Sequence, residues 1–158
     1  MRTLPALLLL ACLLGACAHR PKQMYDGPAR PLAQVAEVWS AAPPYRAPNA
    51  PIDGAGSAID GHIHILAVDG IPADDWWENF AYVVHVLPGP HRFKVRFSVR
   101  RDYASGIVIR GNGELEGTLA AGEGYVIEAR PDFDAMRVDF VMRRLRPDER
   151  PPTTDVSL

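Results

Sequence analysis

From Ser57 onward the chain alternates between apolar and polar positions with a period of two. Ile59, Gly61, Ile63, Ile65 and Ala67 point one way, and Asp60, His62, His64 and Leu66 point the other. That period predicts a half-buried strand. Asp69-Gly70-Ile71-Pro72 then turns the chain. Residues 80–87 form a near-continuous apolar run, as in a strand covered on both faces. Between His91 and Arg100 the alternation has no exception. Phe93, Val95, Phe97 and Val99 face a core, and Arg92, Lys94, Arg96, Ser98 and Arg100 face water. Ile107-Val108-Ile109 opens a further strand region. After Gly111-Asn112-Gly113, Leu115, Gly117 and Leu119 alternate with Glu114, Glu116 and Thr118. Tyr125, Ile127 and Ala129 form one face of another strand, and Met136, Val138, Phe140 and Met142 one face of the last.

The rest of the chain is punctuation. Residues 18–31 carry three prolines and a glycine and read as a tether; residues 41–56 are proline-rich loop. Residues 32–39 fit a short helix or a strand equally well. Residues 146–158 hold three prolines and many charges, which predicts a disordered tail. Short strands divided by Gly and Pro turns predict an all-β fold. The expected architecture is a single antiparallel β-sandwich of about six or seven strands, spanning residues 32–145.

The first sixteen residues differ in kind. Arg2 supplies a positive start, and the run from Leu4 to Leu14 is mainly apolar. The run is about a dozen residues, against roughly 20 for a membrane-spanning helix. A secretory signal has this layout. Leu14-Gly15-Ala16-Cys17 resembles the lipobox of bacterial lipoproteins. That resemblance implies removal of residues 1–16 and a diacylglyceryl thioether on Cys17, with an acyl chain on its amine. Residues 17–31 would then be the lipidated start and tether. Ala18, which is not Asp, implies sorting to the outer membrane of a Gram-negative cell, facing the periplasm.

Composition narrows the chemistry. The chain has two cysteines, Cys12 and Cys17. One leaves with the signal and the other is alkylated. The mature chain then has no thiol for a disulfide, a nucleophile or a thiolate metal site. The net charge is −2 and drops to −3 with the loss of Arg2. No basic field for nucleic acid exists.

Within the body, Val68-Asp69-Gly70, then Leu87-Pro88-Gly89-Pro90-His91 leading into an alternating strand, resembles the PEGA-type surface-layer domain. The chain is also similar to a class of uncharacterised Gram-negative lipoproteins. They share a Tyr-x-Gly start, here Tyr25-Asp26-Gly27, and an Ala-Gly-x-x-Tyr step, here Ala121 to Tyr125. The match covers roughly residues 24–130 and is built on turn chemistry. It implies a small β-sandwich and carries over no catalytic residue. The loop with Trp76 and Trp77 departs from the compact pattern.

Three features are candidates for chemistry. His62 and His64 share one strand face about 7 Å apart, a spacing that chelates zinc or copper if a third ligand arrives. His85 is the candidate third ligand, with His91, Asp60 and Asp69 as other donors. Asp74-Asp75-Trp76-Trp77 sets two adjacent tryptophans beside carboxylates: both rings cap the open end of the sandwich, or one is exposed and suits glycan or protein contact. Serines are few, and none lies in a Gly-x-Ser-x-Gly elbow.

The expectation is therefore a lipid-anchored, non-enzymatic binding or structural module, with no cofactor beyond the lipid on Cys17. Its partners would be the bilayer and an envelope protein or cell-wall glycan. A metal-binding lipoprotein using His62 and His64 is the alternative, and an envelope hydrolase the third.

Overall fold

The computed structural model describes residues 21–40, 44–45, 59–73, 81–100, 108–132 and 135–149, and the statements below concern these residues. They form ten strands. The first four are β1 (Lys22–Gln23), β2 (Ala36–Ser40), β3 (Pro44–Tyr45) and β4 (Ile59–Val68). Then come β5 (Ile71–Pro72), β6 (Val83–Val86) and β7 (Gly89–Arg100). The last are β8 (Val108–Leu119), β9 (Gly124–Asp132) and β10 (Arg137–Arg144). A 3₁₀ turn at Leu32–Gln34 is the only helical segment among the described residues.

The fold is all-β, with two sheets packed together. One has the order β1-β6-β2-β9-β10. The other runs β3-β4-β7-β8, with β5 also paired to β4. The pairing is mostly antiparallel, but β1–β6 and β2–β9 are parallel. The expected all-β sandwich is present, and these two ladders depart from its antiparallel pairing. Side-chain alternation is the same whichever way a neighbour runs, so period two does not encode partner direction.

Between the sheets, Ala36, Val38, Val84, Val86, Tyr125, Ile127 and Ala129 meet Ile63, Ile65, Phe93, Val95, Phe97 and Leu119. Fully burying a large apolar side chain contributes about 1.5–3 kcal/mol. The row Phe93, Val95 and Phe97 is therefore a main source of stability, and its alternation with exposed Arg92 and Lys94 follows the predicted register.

β8 is one continuous strand through Gly111-Asn112-Gly113. Its inward glycines lie against Val138, Phe140 and Met142 of β10. The β4–β5 connection is a two-residue turn. Asp69 has φ 51° and Gly70 φ 82°, with Val68 opposite Ile71. Positive φ at both central residues is what a type I′ hairpin demands, and Asp-Gly meets it.

Two expected boundaries move. Residues 22–24 were expected in the tether, but β1 adds to β6 and the Met24 N–H donates to the His85 carbonyl at 2.9 Å. Met24 is buried in the core. Proline and glycine exclude a long element, not a short ladder anchored by one apolar side chain. Residues 146–149 were expected in a disordered tail. Instead the Leu145 N–H donates to the Gly124 carbonyl at 2.8 Å. Arg143 donates to both carboxylate oxygens of Glu149, at 2.8 and 2.7 Å, which holds this turn against β10. Residues 150–158 lie outside the described residues.

Candidate functional site

β4 alternates Ile63 and Ile65 into the core, which sends His62 and His64 to the outer face of the second sheet. Register with β7 sets His62 opposite Ser98 and His64 opposite Arg96. The two imidazoles stack, with centroids 6.2 Å apart and planes 26° from parallel. His64 Nε2 is 3.4 Å from the Ser98 hydroxyl. Tyr82 packs against the His64 ring at 5.6 Å. The Ile65 N–H donates to the Ala81 carbonyl at 3.2 Å, which brings the segment before β6 alongside β4 and Tyr82 with it.

That segment covers His64. His64 lies on the face of β4 opposite the core, yet it is only 7% exposed. Burial, then the neighbouring His62 and Arg96, lowers its pKa to about 4. At neutral pH the ring is uncharged, the form that ligates a metal or accepts a proton.

His85 does not join this pair. It lies on β6 in the first sheet, on the face opposite Val84 and Val86, and its Nε2 is 2.8 Å from Glu37 Oε2. The core separates the two sites. Among the described residues no three His, Cys, Asp or Glu side chains come together as a metal cage. His85 instead belongs to a cluster that the sequence reading missed. Trp39 Nε1 donates to the other Glu37 oxygen at 2.8 Å, so Glu37 joins an indole and an imidazole. A tryptophan, a glutamate two residues on the same strand, and a histidine on a neighbour would have signalled it, had the β2–β6 register been known.

Asp69 and His91, named as further donors, bond to each other. His91 Nδ1 is 2.6 Å from Asp69 Oδ2, and His91 Nε2 is 2.6 Å from the Leu87 carbonyl oxygen. The Arg92 N–H donates to Asp69 Oδ1 at 2.8 Å. This clamp ties the β4–β5 turn to the β6–β7 turn. Partial burial raises the Asp69 pKa, but the Arg92 amide and the His91 ring outweigh it and hold the carboxyl below its usual range. Both oxygens are engaged within the fold, which makes the pair structural.

Asp60 contributes backbone to β4. Asp74, Asp75, Trp76, Trp77 and Cys17 lie outside the described residues. No protein-family model matches the chain, and no curated protein or solved structure matches it.

Proposed function

We propose that the chain is a lipid-anchored cell-envelope protein, a non-enzymatic binding or structural module at the periplasm-facing side of the outer membrane. The observation that carries this reading is Cys17 directly after Leu14-Gly15-Ala16, with Arg2 and an apolar run ahead of it. A lipid on Cys17 would supply the attachment. One acyl chain binds a bilayer marginally, at about 0.8 kcal/mol per buried methylene, while two or three hold firmly. The PEGA-type resemblance belongs to the same reading. A partner would be an envelope protein or a cell-wall glycan, contacted through Asp74, Asp75, Trp76 and Trp77.

The test is fractionation and intact mass of wild type and Cys17→Ala. The expected wild type sediments with membranes and carries the mass of a diacylglyceryl group on Cys17. The expected variant is soluble or unprocessed. Unchanged membrane retention and processing in Cys17→Ala sinks the reading.

A second reading, a metal-binding lipoprotein, draws on one observation. His62 and His64 stand side by side, and His64 is uncharged at neutral pH. Neutral imidazole is the form that ligates a metal, and two rings on one strand face would supply two of the ligands.

A further inference from the structure

We infer that the β1 edge of the first sheet, with the loop that follows it, is the side this domain turns towards a phospholipid bilayer. The inference rests on the anchoring proposed above and adds an orientation to it. β1 begins at Lys22 and is the outermost strand of its sheet. Five residue steps separate it from Cys17. A fully extended chain covers at most about 3.3–3.6 Å per residue, so the lipidated residue lies within roughly 17 Å of Lys22. The leash is shorter than the domain is wide. β10, at the other edge of the same sheet, is four strand spacings further on, about 19 Å at 4.7–4.9 Å each.

The loop that leaves β1 passes the end of β6 to reach β2, where Ala33 lies against Gly122 of the β8–β9 turn, and its surface fits a headgroup layer. Residues 26–34 are exposed, and they include Pro28, Ala29, Pro31 and Leu32. Leu32 is 59% exposed, one of three large apolar side chains so exposed among the described residues. Arg30 supplies a cation and sits 5.7 Å over the Tyr25 ring. The loop is held in shape. The Arg30 N–H donates to the Tyr25 hydroxyl at 3.0 Å, and the Gln23 amide donates to the Tyr25 and Gly27 carbonyls at 2.8 and 2.7 Å. A fixed loop that presents an apolar side chain beside an arginine suits the boundary between phosphate and acyl chains. Asp26 is the one acid on it.

Because the mature chain has no other free thiol, a single introduced cysteine can be labelled with a nitroxide. The lipidated protein would be purified from membranes as Leu32→Cys, Ala29→Cys and Asp139→Cys. It would be reconstituted in vesicles of phosphatidylethanolamine and phosphatidylglycerol. Collision rates with oxygen, which concentrates in lipid, and with a water-soluble nickel chelate give the depth of each label. Labels at 32 and 29 are expected to meet the nickel chelate several-fold less often than the label at 139 on β10, and oxygen more often. Equal nickel accessibility at all three sites, or the reverse order, overturns the orientation. Sedimentation with the vesicles and the mass of the Cys17 peptide are read on the same samples. Bound, lipidated protein with equal accessibilities refutes the orientation alone, whereas absence of the lipid and of vesicle binding refutes the anchoring and the orientation together.

Discussion

Phe140 lies so close over Gly113 that a Cβ at residue 113 would overlap its ring. The same holds for Gly111 beneath Val138. Here β10 comes to rest on β8 because glycine leaves the room. Gly113→Ala should therefore destabilise by about 1–3 kcal/mol, the usual result of overpacking a close contact. Thr118→Ala, on the exposed side of the same strand, should change stability by less than about 0.5 kcal/mol. Urea unfolding of both variants measures this. Equal effects would mean that β8 and β10 do not touch here.

The β4–β5 turn makes a second prediction. Gly70 has φ 82° with open space around its α-carbon, so any cost of a side chain there comes from the backbone alone. Gly70→Ala should lose about 1–2 kcal/mol. Asp69→Ala should lose the clamp to His91 and Arg92. Since the folded-state pKa of Asp69 is depressed, its contribution is present above the ordinary carboxylate pKa of 3.8. That contribution disappears as pH falls through the lower folded value. The stability difference between wild type and Asp69→Ala should accordingly shrink at strongly acid pH. A difference that stays constant with pH would show that the carboxylate's charge is immaterial.

His64 titrates in a different window. Its pKa falls from 6.5 to about 4 on folding. Between those values the unfolded chain binds a proton that the folded chain refuses, so stability declines as pH is lowered from 6.5 towards 4. At 1.36 kcal/mol per pH unit, the full effect is on the order of 3 kcal/mol. His64→Phe removes the titration while keeping a ring against Tyr82. Denaturant midpoints compared at about pH 7 and pH 4.5 should fall for wild type and fall clearly less for the variant. Parallel losses in both proteins would rule His64 out as the source.

Metal binding is checked by melting. If zinc or copper binds the His62–His64 pair, an excess of 100-fold over the dissociation constant should stabilise the fold by about 2.7 kcal/mol. His62→Ala with His64→Ala should abolish that shift, while His85→Ala, across the core and bonded to Glu37, should leave it intact. A melting curve that either metal leaves unmoved ends the metal reading.

Much of the fold was legible because alternation is a local property. Phe93, Val95 and Phe97 read as inward, and they are inward. Ile63 and Ile65 read the same way. His64 shows the limit. Its strand position was legible, but its burial comes from Tyr82, carried there by an Ala81–Ile65 bridge that no periodicity announces. Leu32–Trp39 was ambiguous because its apolar spacing fits two periods. Packing settled it as a 3₁₀ turn followed by β2, since Ala36 and Val38 are needed between β6 and β9. The Trp39–Glu37–His85 cluster could not be read at all, because it depends on which strand β2 lies beside.

The sequence by itself determined the inward faces of β7, β8 and β9, the turn at Asp69-Gly70, and the absence of any thiol after Cys17. These depend on φ preferences, on side-chain alternation and on counting. The sequence misplaced Ala67, where a bulge after Ile65 turns Val68 into the core instead, and Met136, which is exposed at φ 51° ahead of β10. Only the tertiary structure decided the parallel partners of β1 and β2, and the assignment of His62 and His64 to one sheet and His85 to the other. It also decided the space that Gly111 and Gly113 yield to β10. Those outcomes depend on contacts between residues far apart in the chain, and such contacts are chosen by total burial and shape rather than by the pattern of any one segment.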